Sequence, residues 1–315
     1  MLLAFCSDSS NQLPYPSTPS SSRSESHQLN PYEVLDISNP IYHHLLILCS
    51  RLAIPKLFDT SAIHESIIQR KQWTRSLPFT FASILEQHPA HQLGQEFPLD
   101  HSRFDMLGPI GPRCLDLESY GPGDDEKHAC ALKSLQANKS DCIIISIGSN
   151  NAWGFEESIY MTLPHCRIET FDCTIPATSK PPATIADKTT FHHICVGDTD
   201  QTTNDGRRYL SWPSVLKLIR ANQAPLYLKM DIEGYEYPVL RSIVSNGTLL
   251  PLQIAFEMHY ATGIPLSWQG RLKSSGELAT FMEYLHYEGG YFLIDLHDNS
   301  VCPQCSELLI SQIPC

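Results

Sequence analysis

The sequence predicts an α/β domain in which a mainly parallel sheet is covered by helices on both faces, and three observations lead there. The first is the run Cys142-Ile143-Ile144-Ile145-Ser146-Ile147, cut off by Gly148-Ser149-Asn150-Asn151, which reads as a buried strand ending in a sharp turn. The second is the amphipathic segment after that turn, which leads into a second strand from Arg167 to Asp172 and so completes a β-α-β unit. The third is that strand and helix patterns keep alternating to the end of the chain.

Taken in order, residues 7–31 are dominated by Ser, Pro, Asn and Gln, a composition too polar to offset the cost of chain ordering. Residues 1–31 are therefore expected to be a disordered leader. Helical patterns at Ile41 to Ile54 and Ser61 to Trp73, broken at Pro55, Pro78 and Pro89, predict a helical appendage or cap over residues 32–100. From His101 to Gly123 glycines and prolines crowd together, which fits either a loop over the ligand pocket or a plain linker. The main domain is expected over 101–315.

Beyond Asp172, Phe191 to Val196 reads as a third strand ending in Gly197-Asp198, and Trp212 to Ala221 as a helix with an apolar face. Leu226 to Met230 is a fourth strand whose end carries Asp231 and Glu233, followed by a helix from Tyr237 to Ser245. Leu252 to Met258 is a fifth strand with Glu257 and His259 at its exit. A helix from Gly276 to Glu288, a sixth strand from Tyr291 to Leu296 and a short seventh from Glu307 to Ile310 complete the pattern. Ligands of such sheets bind beyond the carboxyl ends of the strands, the edge to which Gly148, Asp172, Asp198, Asp231 and His259 all fall.

A net charge of −12 argues against a nucleic-acid backbone or an anionic membrane as the main partner. Met1 to Cys6 lacks the basic flank of a secretory leader, and Ile41 to Leu57 carries too many polar residues for a membrane span. The expectation is a soluble, cytoplasmic chain. Among 11 cysteines, Cys142, Cys166 and Cys195 lie in apolar runs and read as reduced, hydrophobic side chains. Cys114 with Cys130, and Cys302 with Cys305, each fit a disulfide, half a zinc site or neither. Asn138-Lys139-Ser140 and Asn246-Gly247-Thr248 fit the glycosylation triplet, which has meaning only in a secretory compartment and is set aside for a cytoplasmic chain. No Walker A lysine motif, G-x-S-x-G elbow or H-E-x-x-H is present, which removes the commonest nucleotidase, hydrolase and zinc-protease readings.

The run Ile145 to Asn151 with Phe155-Glu156, then Glu169-Thr170-Phe171-Asp172-Cys173-Thr174, and later Leu228-Lys229-Met230-Asp231-Ile232-Glu233-Gly234-Tyr235-Glu236, resembles the methyltransferase-domain family that includes the methyltransferase-like 24 proteins, relatives of the FkbM-type methyltransferases. Phe256-Glu257-Met258-His259 and the Cys302-x-x-Cys305-x-Glu307 tail are similar to it as well. The resemblance implies a class I methyltransferase fold, Rossmann-like, with a seven-stranded mainly parallel sheet whose last strand is antiparallel, and S-adenosylmethionine as cofactor. It implies that Gly148, Ser149 and Asn150 lie along the methionine moiety, that Asp172 takes the ribose hydroxyls and that Asp198 sits near the adenine. Asn150 stands where many such proteins have a second loop glycine, and Asn tolerates the left-handed backbone that the turn needs.

Transfer to a hydroxyl requires a group that accepts its proton, for which Asp231, Glu233 and His259 are the candidates. Two have a plainer reading beside them, Glu233 as a first-turn carboxylate and His259 as a strand-end histidine satisfied by backbone. Asp231, a carboxylate ending a buried strand, is costly without a purpose or partner. Asp231, Glu233, Glu257 and His259 also have the chemistry of a magnesium or manganese site, but the resemblance implies no metal and none is expected. Tyr235, Tyr237, Tyr260 and Trp268 line either a pocket or the core. The expected function is O-methylation of a small molecule or glycan. A non-catalytic scaffold on the same fold is the alternative, and a nicotinamide oxidoreductase is a third reading that an antiparallel strand between the fifth and sixth would exclude.

Overall fold

The computed structural model describes residues 58, 60–87, 107–136, 142–259, 275–299 and 305–313. The expected leader, the helix at Ile41 to Ile54, Tyr260, Trp268 and Cys302 lie outside them.

The main sheet grows from β3 (Ile143–Ile147), in which all five residues are buried. Its side chains alternate between two cores. Ile143, Ile145 and Ile147 face one, and Ile144 faces the other. On either side lie β4 (Arg167–Phe171) and β9 (Tyr227–Met230), both parallel to it. β5 (Thr189–His192) continues the sheet beyond β4, and β10 (Gln253–His259) beyond β9. β12 (Cys305–Gln312) is antiparallel to β10 and to β11 (Tyr291–Asp298) and lies between them. An antiparallel last strand inserted between the fifth and sixth excludes the nicotinamide-oxidoreductase strand order.

The first core packs against α4 (Trp212–Leu218), α5 (Glu236–Asn246) and α6 (Ser275–Tyr287) through Trp212, Val215, Val239, Leu240, Ile243, Leu278 and Met282. Full burial of one such aliphatic side chain contributes about 1.5–3 kcal/mol. The second face is covered by α3 (Gly154–Thr162) through Phe155 and Ile159, and by a hairpin of β1 (Leu117–Tyr120) and β2 (Lys127–Cys130) through Tyr120 and Ala129. The hairpin begins within the last residues, 117–123, of the stretch that the sequence left between a lid and a linker. A short helix, α2 (Leu132–Gln136), follows it.

Three expectations need correction. α1 (Thr60–Gln87) runs through Pro78, where a break was expected. Proline removes a single amide donor, and a helix docked by its first half can absorb that loss: Ile63 joins the second core, and buried Arg70 bonds Glu283 of α6 at 3.1 Å. The segment Phe191 to Val196 is not one strand. It breaks after His192, and β6 (Cys195–Val196) leaves to form a small separate sheet with β7 (Gln201–Thr202) and β8 (Arg208–Leu210). Cys142, Cys166 and Cys195 are not thiols: Cys142 pairs with Cys166, Cys173 with Cys195, and Cys114 with Cys130. Parallel pairing of β3 with β4 places Cys142 and Cys166 side by side, which apolar context alone could not reveal. Cys305 is oxidised as well.

Candidate active site

Gly148 ends β3 with φ +81, and a Cβ added there would lie 1.8 Å from the carbonyl oxygen of Asp231 at the end of β9. Glycine is therefore required twice, by the backbone angle and by the close approach of the neighbouring strand. Asn150 and Asn151 continue the turn with φ +46 and +58, the left-handed region that Asn tolerates.

Buried Asp172 organises this loop. Its Oδ2 accepts from the amides of Ser149 and Asn150 at 3.0 and 2.8 Å and from Ser149 Oγ at 3.4 Å. Its Oδ1 accepts from the amide and hydroxyl of Thr174 at 2.8 and 2.7 Å. Burial pushes this carboxyl up, but the Thr174, Asn150 and Ser149 donors outweigh it and hold it below the usual carboxylate range. Beneath the loop, buried Lys229 donates from Nζ to the Gly148 carbonyl. Burial raises the Glu156 carboxyl against the pull of that ammonium, and Thr170 Oγ1 donates to Glu156 at 3.1 Å.

A second cluster lies at the exits of β9 and β10 and the start of the antiparallel β12, under the hairpin. Lys127 Nζ of β2, fully buried, bonds Glu307 Oε1 at 2.6 Å and lies 3.8 Å from Asp231 Oδ2. Burial pulls Lys127 down, but Glu307 and Asp231 more than compensate and hold it above the ordinary lysine range. Burial would raise Asp231, but Lys229, Lys127 and His259 hold it below its usual value. Glu257 is its opposite: burial, and the Asp231 charge to which it is hydrogen-bonded, push it up to about 9. Asn299 Nδ2 donates to Glu257 Oε1 at 2.8 Å.

His259 is buried with Nδ1 3.0 Å from Glu236 Oε1 and Nε2 3.3 Å from Glu233 Oε2. Burial would lower it, yet Glu236, Glu257 and Asp231 raise it to about 10. Glu233 takes φ +56 and is largely exposed, whereas Asp231 shows 24% of its side chain to solvent. Tyr237 donates to the His259 carbonyl at 2.9 Å.

The structure thus brings Gly148, Ser149, Asn150 and Asp172 together, and Asp231, Glu233 and His259 beside them. Asp198 falls apart from both groups: it follows β6, off the main sheet, and its nearest cation is Arg241 of α5 at 3.4 Å. At the true end of the third strand stands His192, stacked on Phe171 and bonded to Glu169 at 2.8 Å. Lys127, Lys229 and Glu236 were missed by the sequence reading. Lys127 hid in a polar stretch, Gly123 to His128, whose text gives no sign of a hairpin.

A glycine turn after the first strand, a carboxylate after the second, and an antiparallel seventh strand between the fifth and sixth define a class I, Rossmann-like methyltransferase. A family model described as a methyltransferase domain matches residues 114–308, and the chain belongs to that family. No curated protein matches it. Among solved structures it is similar to the methyltransferase FkbM from Methylobacillus flagellatus KT, with 14% identity over 73% of this chain and 60% of that one and a TM-score of 0.38. An O-methyltransferase family 2 protein from Planctomyces limnophilus DSM 3776, in complex with apigenin, gives 12%, 56%, 51% and 0.34. NcsB1, an O-methyltransferase from neocarzinostatin biosynthesis in complex with S-adenosylmethionine and 2-hydroxy-5-methyl naphthoic acid, gives 8%, 54%, 49% and 0.33. The chain thus spans less than two thirds of each, and TM-scores this low bear on neither mechanism nor substrate.

Proposed function

We propose that this chain methylates an oxygen of a small-molecule or glycan acceptor, with Asp172 holding the cofactor ribose and Asp231 accepting the acceptor's proton. One observation carries the reading: the Gly148 turn lies against the backbone of Asp231, so the cofactor cradle and a partly exposed, ionised carboxylate adjoin.

The residues fit the cofactor. Asp172 already takes the hydroxyls of Thr174 and Ser149, and a ribose diol presents the same two donors. Rotation of these hydroxyls toward water frees the lone pairs while the Ser149 and Asn150 amides keep the carboxylate in place. Gly148 lets the turn at the strand end pass directly against the backbone of Asp231. Asp198, off the main sheet, is the least supported member of the cofactor set.

Bound there, S-adenosylmethionine would supply an electrophilic methyl group on a sulfonium, whose thioether is the leaving group. The chain aligns the acceptor and removes its proton. Asp231 is ionised and reaches solvent. Because its cations weaken it as a base, it takes the proton as the new bond to oxygen makes that proton acidic, not before. His259 near pH 7 is an imidazolium between Glu236 and Glu233, with no lone pair to offer, and its role is to fix the charge of Asp231. Glu257, protonated and bonded to Asp231, orients the carboxylate. Asp231, Glu236 and His259 bring ligand atoms within 4.8 Å of one another, but Lys127, Lys229 and His259 already balance these charges, which disfavours a divalent ion.

We read residues 101–315 as carrying the catalytic site, with α1, from the segment expected as an appendage over 32–100, docked on them through Ile63 and Arg70. Screening oxygen acceptors with S-adenosylmethionine tests the proposal. Transfer to a hydroxyl, lost in Asp231→Asn with cofactor binding intact, supports it. Cofactor binding with transfer to nitrogen or carbon alone refutes the oxygen reading, and no binding in the folded protein leaves a non-catalytic binding domain.

A further inference from the structure

We propose that this domain matures in an oxidising secretory compartment and carries an N-linked glycan on Asn246. Two independent features carry the inference, and neither depends on the methyltransferase reading.

The first is the pairing of six cysteines. Cα separations of 5.8, 4.7 and 4.9 Å for Cys114–Cys130, Cys142–Cys166 and Cys173–Cys195 all fall in the range a disulfide spans. The bridges staple different parts of the domain: the entry loop to the hairpin, the start of β3 to the start of β4, and the end of β4 to β6. A reducing cytosol would hold such thiols reduced, and three structural bridges in one domain belong to an oxidising lumen. Each pair gives up two protons and two electrons, which a disulfide-donating oxidoreductase of that compartment takes as its own disulfide is reduced to two thiols.

The second is the position of Asn246-Gly247-Thr248. Asn246 is the last residue of α5 and is exposed, as are Gly247 and Thr248. Gly247 caps the helix at φ +60, so the triplet sits on a turn at the surface. α5 begins beyond the exit of β9 and runs back along the sheet, which puts Asn246 at the edge opposite Gly148, Asp172 and Asp231. A glycan there leaves the site open. Asn246 Nδ2 donates to the Ser242 carbonyl at 2.6 Å, and an N-linked sugar leaves one N–H to keep that bond. In the modification, Nδ2 loses a proton to a base and bonds the anomeric carbon of a lipid-diphosphate-linked oligosaccharide, whose bond to oxygen breaks as the lipid diphosphate leaves.

The test uses the full chain purified from the cells that make it. Alkylation of the denatured, unreduced protein in the presence of a chelator, followed by peptide mass mapping, is expected to find the three pairs unmodified and linked. Treatment with a peptide-N-glycosidase is expected to lower the mass and convert Asn246 to Asp, and Asn246→Gln is expected to lose that increment. Free thiols at the three pairs, released by the chelator from a zinc site that includes His165 or free from the start, overturn the compartment. An unmodified Asn246 in chains that carry the bridges overturns the glycan site.

Discussion

Asp172 and Asp231 end strands of the same sheet and are both held below the usual carboxylate range, but by opposite means. Asp172 is held by neutral donors, three amides and two hydroxyls. Asp231 is held by cations: Lys229, Lys127 and His259. Hydroxyl donors exchange with the hydroxyls of a ligand at little cost, which suits a place where a neutral diol binds and leaves. Fixed cations decide where a proton resides, which suits a place where one is transferred. On the proposed function, one edge of one sheet is thus divided into a binding half and a proton-handling half.

The strongest way to break this contrast is Asp231→Asn, which keeps the shape and removes the basicity. Turnover on a hydroxyl acceptor is expected to fall about 10²- to 10⁴-fold, the range for loss of a general base, with cofactor affinity unchanged. Equal turnover in variant and wild type would remove Asp231 from the chemistry. Next in size is Lys127→Met, which leaves buried Glu307 without its ammonium partner. Loss of one member of a buried pair costs about 3–5 kcal/mol, read as a lower urea midpoint, and a variant as stable as wild type would show that Lys127 carries no such weight.

The proton-handling half also predicts a pH profile. His259 sits at about 10 against an ordinary 6.5, so its contribution is full below about 6.5 and is lost as pH rises through 10. Glu257 sits at about 9 against 4.5, so the folded state holds a proton that the unfolded chain releases, and its contribution too declines with rising pH. Urea unfolding is expected to show falling stability from pH 6.5 to 10, and Glu236→Gln, which removes the largest carboxylate partner of His259, should move that fall to lower pH. A flat profile would contradict both assignments. The smallest effect belongs to the binding half: Thr174→Val removes a hydroxyl that competes with ribose for Asp172. S-adenosylmethionine is expected to bind about threefold tighter, the scale of one net hydrogen bond, and weaker binding would mean that Thr174 assists the ligand rather than standing in for it.

The two halves differ as well in how far the sequence revealed them. Gly148, Asn150 and Asp172 stand in one β-α-β unit, where apolar run, turn residues and strand end are local signals that a single sequence carries. The proton-handling half is assembled from β2, β9, β10 and β12, and its central contact joins Lys127 to Glu307 across 180 residues. No periodicity reports such a pairing. Asp231 and His259 were visible as polar ends of apolar strands, but their protonation depends on Lys127, Lys229 and Glu236. The cysteines failed for the same reason: apolar surroundings suit a thiol and a disulfide equally, and only strand register distinguishes them.

Calorimetric titration with S-adenosylmethionine of wild type, Asp172→Ala and Asp231→Asn, each verified as folded, tests the division of the site most directly. Binding to wild type and Asp231→Asn, with loss in Asp172→Ala, is the expected result. Binding that survives in Asp172→Ala, or that disappears in Asp231→Asn, would contradict the separation of a binding half from a proton-handling half.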